Sequence, residues 1–200
     1  MGRGDFMRQA TINRDTTETK IKLNFNLDDS SQTKIDTGVG FFNHMLTLFA
    51  AHGQFGLNLK ANGDLDVDAH HTVEDVGIVL GQAFKEAIGD KKGIKRYASD
   101  FTPMDESLSL VSIDVSNRPY LVFDVDGLSE KVGTFDTELV EEFFRAFINQ
   151  AGVTLHIKLM HGQNSHHIIE SIFKGFGRVL NEATSVVNPD GEVPSTKGTL

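Results

Sequence analysis

Apolar positions along this chain change their period repeatedly, and each change predicts an element. From Lys20 the residues alternate, with Ile21, Leu23, Phe25 and Leu27 apolar, as in a half-buried strand over 19–27; a shorter strand is expected over 8–13. Asp28-Asp29-Ser30-Ser31 reads as a turn. Over 41–52 the spacing becomes helical, with Phe42, Met45, Leu46, Phe49 and Ala50 on one face and Gly53 as the stop. Strands are expected over 55–60 and 64–68, joined at Asn62-Gly63, the strongest short hairpin signal present. A second helix follows over 71–88, with Val73, Val76, Leu80, Ala83, Phe84 and Ala87 as its stripe and Gly89 as its end.

The order then repeats. Ser107–Val115 and Tyr120–Val125 are strand-like, and Asp136 is placed to cap a helix over 137–150 that stops at Gly152. Val153–Met160 is a strand containing His156, and 166–184 is a helix buried along Ile169, Ile172, Phe173, Phe176 and Leu180. Each half reads strand, strand, helix, strand, helix. The expected fold class is therefore α/β (α+β): an internally duplicated sandwich of sheet and helices, with halves at 1–95 and 96–187 in one compact fold. Two long units do not make a solenoid. The Pro/Gly/Ser/Lys-rich stretch 188–200 is expected to be a mobile tail.

Both final helices open with the same motif. His70-His71-Thr72-Val73-Glu74 and His166-His167-Ile168-Ile169-Glu170 are HHxxE copies 96 residues apart, and they hold four of the eight histidines. One such run is ordinarily a solvated pair; two at matching places in matching halves point to metal. Residues i and i+4 share a helix face, so His70 with Glu74, and His166 with Glu170, can each grip an ion. His71 and His167 point about a quarter turn away and would reach a second ion. His44 on the first helix and His156 in the strand are candidates to complete each set. There is no cysteine, which excludes disulfides, thiolate nucleophiles and Cys-type zinc sites. Imidazole with carboxylate suits Mn²⁺, Fe²⁺ or Zn²⁺.

A net charge of −9 argues against general nucleic-acid binding. No apolar run reaches the ~18–20 residues of a membrane span. The run MGRGDFMRQA has no export-type apolar core and no myristoylation pattern, so a cytoplasmic location is expected. Arg96, Arg118, Lys174 and the segment Ser195-Thr196-Lys197-Gly198 are singly ordinary surface groups. Beside a metal centre they form a usual set for a phosphate monoester. Glu18 and His52 are candidate acids or bases. A hydrolysing metalloenzyme and a non-catalytic metal-binding protein both accommodate the metal motif.

Segments spanning nearly the whole chain, in order, closely resemble the imidazoleglycerol-phosphate dehydratase family. They are Thr37 to Leu46 (TGVGFFNHML), Gly63 to Asp75, Pro103-Met104-Asp105-Glu106, Arg118-Pro119, Asn164 to Glu170, Phe173-Lys174 and Pro194 to Gly198. The resemblance implies ribosomal-S5-domain-2-like repeats and a dimanganese enzyme of histidine biosynthesis. Its reaction is dehydration of D-erythro-imidazole glycerol phosphate to imidazole acetol phosphate; the alternative kept is a dinuclear metallophosphatase. It further implies one Mn²⁺ on His44, His71, His166 and Glu170, and another on His70, Glu74, His156 and His167. Glu74 and Glu170 count among the catalytic residues on this reading. Phosphate falls to Arg96, Arg118, Lys174, Ser195, Thr196 and Lys197. Glu18 is implied to contact substrate across a subunit boundary, in a 24-mer built of trimers with shared active sites. Three positions depart from the family's usual residue: Asn43 for Asp, Ala69 for Asp and Asn117 for Gly. Asn43 is expected to alter the partner of His44.

Overall fold

The computed structural model describes residues 7–200; the expectation about export and myristoylation signals rests partly on residues 1–6, which lie outside them. The first half runs β1 (Gln9–Asp15), β2 (Thr19–Asn26), β3 (Thr33–Asp36), α1 (Gly40–Gly53), β4 (Gly56–Gly63) and α2 (His70–Ile88). The second runs β5 (Tyr97–Met104), β6 (Ser107–Asp114), β7 (Tyr120–Asp124), α3 (Leu139–Ala151), β10 (Thr154–His161) and α4 (Ser165–Thr184), with a small β8–β9 ribbon (Lys131–Val132, Phe135–Asp136) before α3. The sheets have matching orders, β1-β2-β4-β3 and β5-β6-β10-β7, and in both only the last pair is parallel. The duplication expected from sequence is therefore real at the level of strand order and helix placement.

Each sheet carries its own half's helices, and the two helical layers meet face to face, α1 on α4 and α2 on α3. The core between them is built from phenylalanine: Phe49 stacks on Phe176, and Phe143 on Phe173, at ring centroid distances of 5.0 and 5.4 Å. Glycines bring the helices close. A Cβ at Gly177 would stand 2.4 Å from the Phe49 carbonyl oxygen, and one at Gly81 would stand 2.4 Å from that of Phe147. Phe49 and Phe147 are thus equivalent positions, as are Gly177 and Gly81.

Three sequence expectations are corrected. Residues 64–68 are not a strand: Asn62-Gly63 ends β4, and the chain turns at once toward α2. Gly53 does not stop α1. It lies in the last turn against Gly177, and Gln54 takes the left-handed cap at φ 56°. Asp136 sits in the β8–β9 ribbon paired with Lys131, and α3 starts without a side-chain cap. Two strands lacked a readable pattern, the four-residue β3 and the largely exposed β5. The tail is laid on residues 93–96: Gly93 donates to the Glu192 carbonyl, and Arg96 Nη1 to that of Pro194 at 2.8 Å. Among the described residues no helix is long and apolar enough to cross a membrane.

Candidate active site and metal centre

Both metal-type motifs sit on the first turn of a helix whose start is pinned. The Asn164 side chain accepts the His166 and His167 amides, and Asp68 Oδ1 accepts the His70 amide at 2.7 Å. At the start of α4 three donors converge. Glu170 Oε2 lies 3.3 Å from His166 Nε2 and 3.5 Å from His44 Nε2. Atoms about 2.1 Å from one ion and at right angles stand ~3 Å apart, so these spacings fit a divalent cation held by nitrogen and oxygen. The group His44, His166 and Glu170 is the only three-donor cluster among the described residues. Lys174 takes the other oxygen of Glu170 at 2.6 Å. Burial pushes the Glu170 carboxyl up, but Lys174 and His44 outweigh it and hold it below the usual range. This carboxylate is ionised and ready to ligate.

At the start of α2 the structure brings together His70 and Glu74 at 3.9 Å, and no third ligand. His156 does not join either pair. It stands on the outer face of the second sheet, between Leu155 and Ile157, which point to the helices; its lateral partners are Ser112 and Val122. The duplication supplies another candidate. The glycine contacts equate Phe49 with Phe147, and five residues upstream of each lie His44 and Glu142. Glu142 on α3 is therefore the counterpart of His44 in register, but among the described residues its carboxylate forms no cluster with His70 and Glu74.

The second histidine of each motif has its Nδ1 on a carboxylate. His71 Nδ1 is 2.9 Å from Asp64 and 3.8 Å from Glu18; His167 Nδ1 is 2.7 Å from Glu106. These bonds raise both imidazoles, and His167 together with the Gln163 and Asn164 amides holds Glu106 far below the usual carboxylate range. Glu18 and Glu106 are also equivalents, each the residue before the second strand of its half. Glu18 sits on a turn tied by Thr16, and the next residue, Thr19, donates to buried Asp75 on α2, which also pairs with Arg14. The carboxylate is 52% exposed, on a rigid support.

The phosphate candidates divide. Arg96 is buried at φ 78°, forks onto Asp114 and lies 4.7 Å from the Tyr97 ring; Arg118 reaches the same Asp114 and is mostly exposed. The tail's hold on Arg96 brings Ser195, Thr196 and Lys197 to this end. Lys174 is elsewhere, beside Glu170. The Arg96 amide bonds Ala183 near the end of α4, thirteen residues beyond Glu170, which is about 20 Å at 1.5 Å per residue. His52 lies eight residues along α1 from His44, about 12 Å away, and is not part of the cluster. Asn43 does not touch His44 either: its Oδ1 accepts the Thr37 amide and hydroxyl, clamping the loop before α1. Asn117 has φ 59°, a left-handed conformation that asparagine tolerates better than most residues other than glycine.

The family model described as imidazoleglycerol-phosphate dehydratase matches residues 37–180. The chain belongs to the imidazoleglycerol-phosphate dehydratase family. Similar relatives carry that name throughout: the Oceanobacillus iheyensis protein is 59% identical over 97% of this chain and all of its own length, and the Streptococcus thermophilus protein 60% over the same shares. The crystal structure of the dehydratase from Staphylococcus aureus is 49% identical with a TM-score of 0.82, covering 89% of this chain and 99% of that one. The structure of the Pyrococcus furiosus dehydratase also has a TM-score of 0.82 at 36% identity, covering 94% and 100%. The two-half architecture described above is thus that of the dehydratase family.

Proposed function

We propose that this chain dehydrates D-erythro-imidazole glycerol phosphate to imidazole acetol phosphate in cytoplasmic histidine biosynthesis, at a two-Mn²⁺ centre completed between copies of the chain. The hydro-lyase activity follows from family membership, and the metallophosphatase alternative is not favoured. The observation that carries the metal assignment is the convergence of His44, His166 and Glu170, whose nitrogen and oxygen atoms fit a divalent cation. His70 and Glu74 would hold the second ion, with His156, exposed on the outer face of the second sheet, reaching it from a neighbouring copy. His71 and His167, a quarter turn away, would reach ions gripped by neighbouring copies.

Two bound dications would supply the positive charge that stabilises a deprotonated imidazole ring, the only available electron sink for loss of the neighbouring carbon-bound proton. Glu18, exposed on its braced turn, is placed to move that proton. Arg96, Arg118, Ser195, Thr196 and Lys197 would hold the phosphate, and Lys174 would add charge beside Glu170. The substrate has three carbons between ring and phosphate. It cannot span the ~20 Å along α4 that separates metal cluster from anion arm, which supports an active site shared between copies, in the 24-mer of trimers that the family resemblance implies. The second sheet's outer face, with Phe101 and Met160 about half exposed near Leu108 and Leu110, offers apolar surface for such assembly.

The test separates the two arms. His166→Ala, like His71→Ala and His167→Ala, should lose Mn²⁺ and turnover together in metal analysis of the purified protein. Lys197→Ala should keep its metal and raise KM at least tenfold. Full turnover after metal stripping contradicts the proposal, as does loss of metal in Lys197→Ala.

A further inference from the structure

The two halves differ in one respect around their second histidines. Gly63 and Gly162 are equivalent, because a Cβ at Gly63 would strike Thr72 and one at Gly162 would strike Ile168, the same helix position in each half. The residues that follow are Asp64 and Gln163. In the second half this position is a neutral amide whose backbone N–H donates to Glu106, and Glu106 alone binds the His167 ring nitrogen. In the first half it is a carboxylate, and Asp64 takes the His71 ring nitrogen at 2.9 Å while Glu18 stays back at 3.8 Å. His71 Nδ1 therefore has two carboxylates within 4 Å where His167 Nδ1 has one, Asp105 lying 3.9 Å from the other nitrogen, His167 Nε2.

We infer that Asp64 and Glu106 are the positioning carboxylates of the two crossing histidines, and that Asp64, by taking over this task in one half, leaves Glu18 free to act on substrate. A carboxylate accepting from Nδ1–H fixes the ring's plane and tautomer and leaves Nε2 bare for an ion. The duplicated glutamate has thus diverged: Glu106 keeps the supporting role, and Glu18 is released from it. This rests on the metal reading proposed above, and the asymmetry makes it testable apart from that reading.

The experiment measures Mn²⁺ affinity of the assembled protein by electron paramagnetic resonance titration, alongside kcat and KM. Glu106→Ala has no spare carboxylate at His167 Nδ1 and should bind Mn²⁺ about 10–100-fold more weakly. Asp64→Ala should keep its affinity within a few-fold, because Glu18 swings onto His71, while kcat falls and KM holds. Asp64→Ala with Glu18→Ala should lose affinity as Glu106→Ala does. Adding Gln163→Asp to Glu106→Ala should recover affinity, which a variant that merely fails to fold would not do. The inference is overturned if Asp64→Ala alone weakens Mn²⁺ as much as Glu106→Ala, or if Gln163→Asp restores nothing. If His166→Ala leaves Mn²⁺ affinity unchanged, the metal reading itself has failed instead.

Discussion

His52 shows how a single residue can carry a plausible role in sequence and a different one in space. It sits in the last turn of α1, where a histidine favours the helix dipole, and it faces Lys174 and Arg178 across α4. Burial first, and then those two cations, lower its pKa. The imidazole is therefore neutral at neutral pH and takes up its proton only below the ordinary histidine range. Its protonation midpoint, followed by NMR of histidine-labelled protein, should lie below 6.5. In Lys174→Met it should move up; a midpoint above the ordinary value, or no response to that variant, contradicts the arrangement. Asp64 and Glu106 show the reverse case. Both lie in segments that carry the family resemblance, but no spacing rule ties either carboxylate to a ring nitrogen. Only the fold brings Glu106 to His167, 61 residues away.

At the level of elements, the strands and helices with strong periodicity were readable, and those set by tertiary contacts were not. β2, α2, β10 and α4 follow their patterns to within a residue or two. β3 is too short for a period to register, and the Asn62-Gly63 pair ends a central strand instead of turning a hairpin. Gly53, read as the stop of α1, instead lies in its last turn against Gly177, and Gln54 is the cap. That close helix crossing also supports the site. Gly177→Ala would press a methyl against the Phe49 carbonyl and lift α1 from α4, taking His44 from His166 and Glu170. We expect a stability loss of about 1–3 kcal/mol by denaturant unfolding, and weaker Mn²⁺ binding under conditions where the variant is fully folded. Unchanged metal affinity would detach the crossing from the site.

For the molecule as a whole, duplication gives one chain two copies of the same metal-type motif. Each half presents HHxxE on a helix seated on its own sheet and backed by a helix of the other half. In α4 the first histidine and the glutamate meet His44 of the same chain; in both helices the second histidine lies against a carboxylate. An isolated chain then holds one three-donor cluster, one incomplete set and a distant anion arm. The sequence made the motif and its repetition legible. It did not make legible that Glu170 and Arg96 lie at opposite ends of α4, since that distance exists only once the helix is laid down.

Subunit mixing tests this account most directly. His166→Ala, lacking a metal ligand, and Arg118→Ala with Lys197→Ala, lacking the anion arm, should each be inactive alone. Co-assembled in equal amounts, they should recover activity in roughly a quarter of the sites, those pairing an intact metal set with an intact arm from the other copy. Mixed assemblies as inactive as their parents would contradict a site shared between copies.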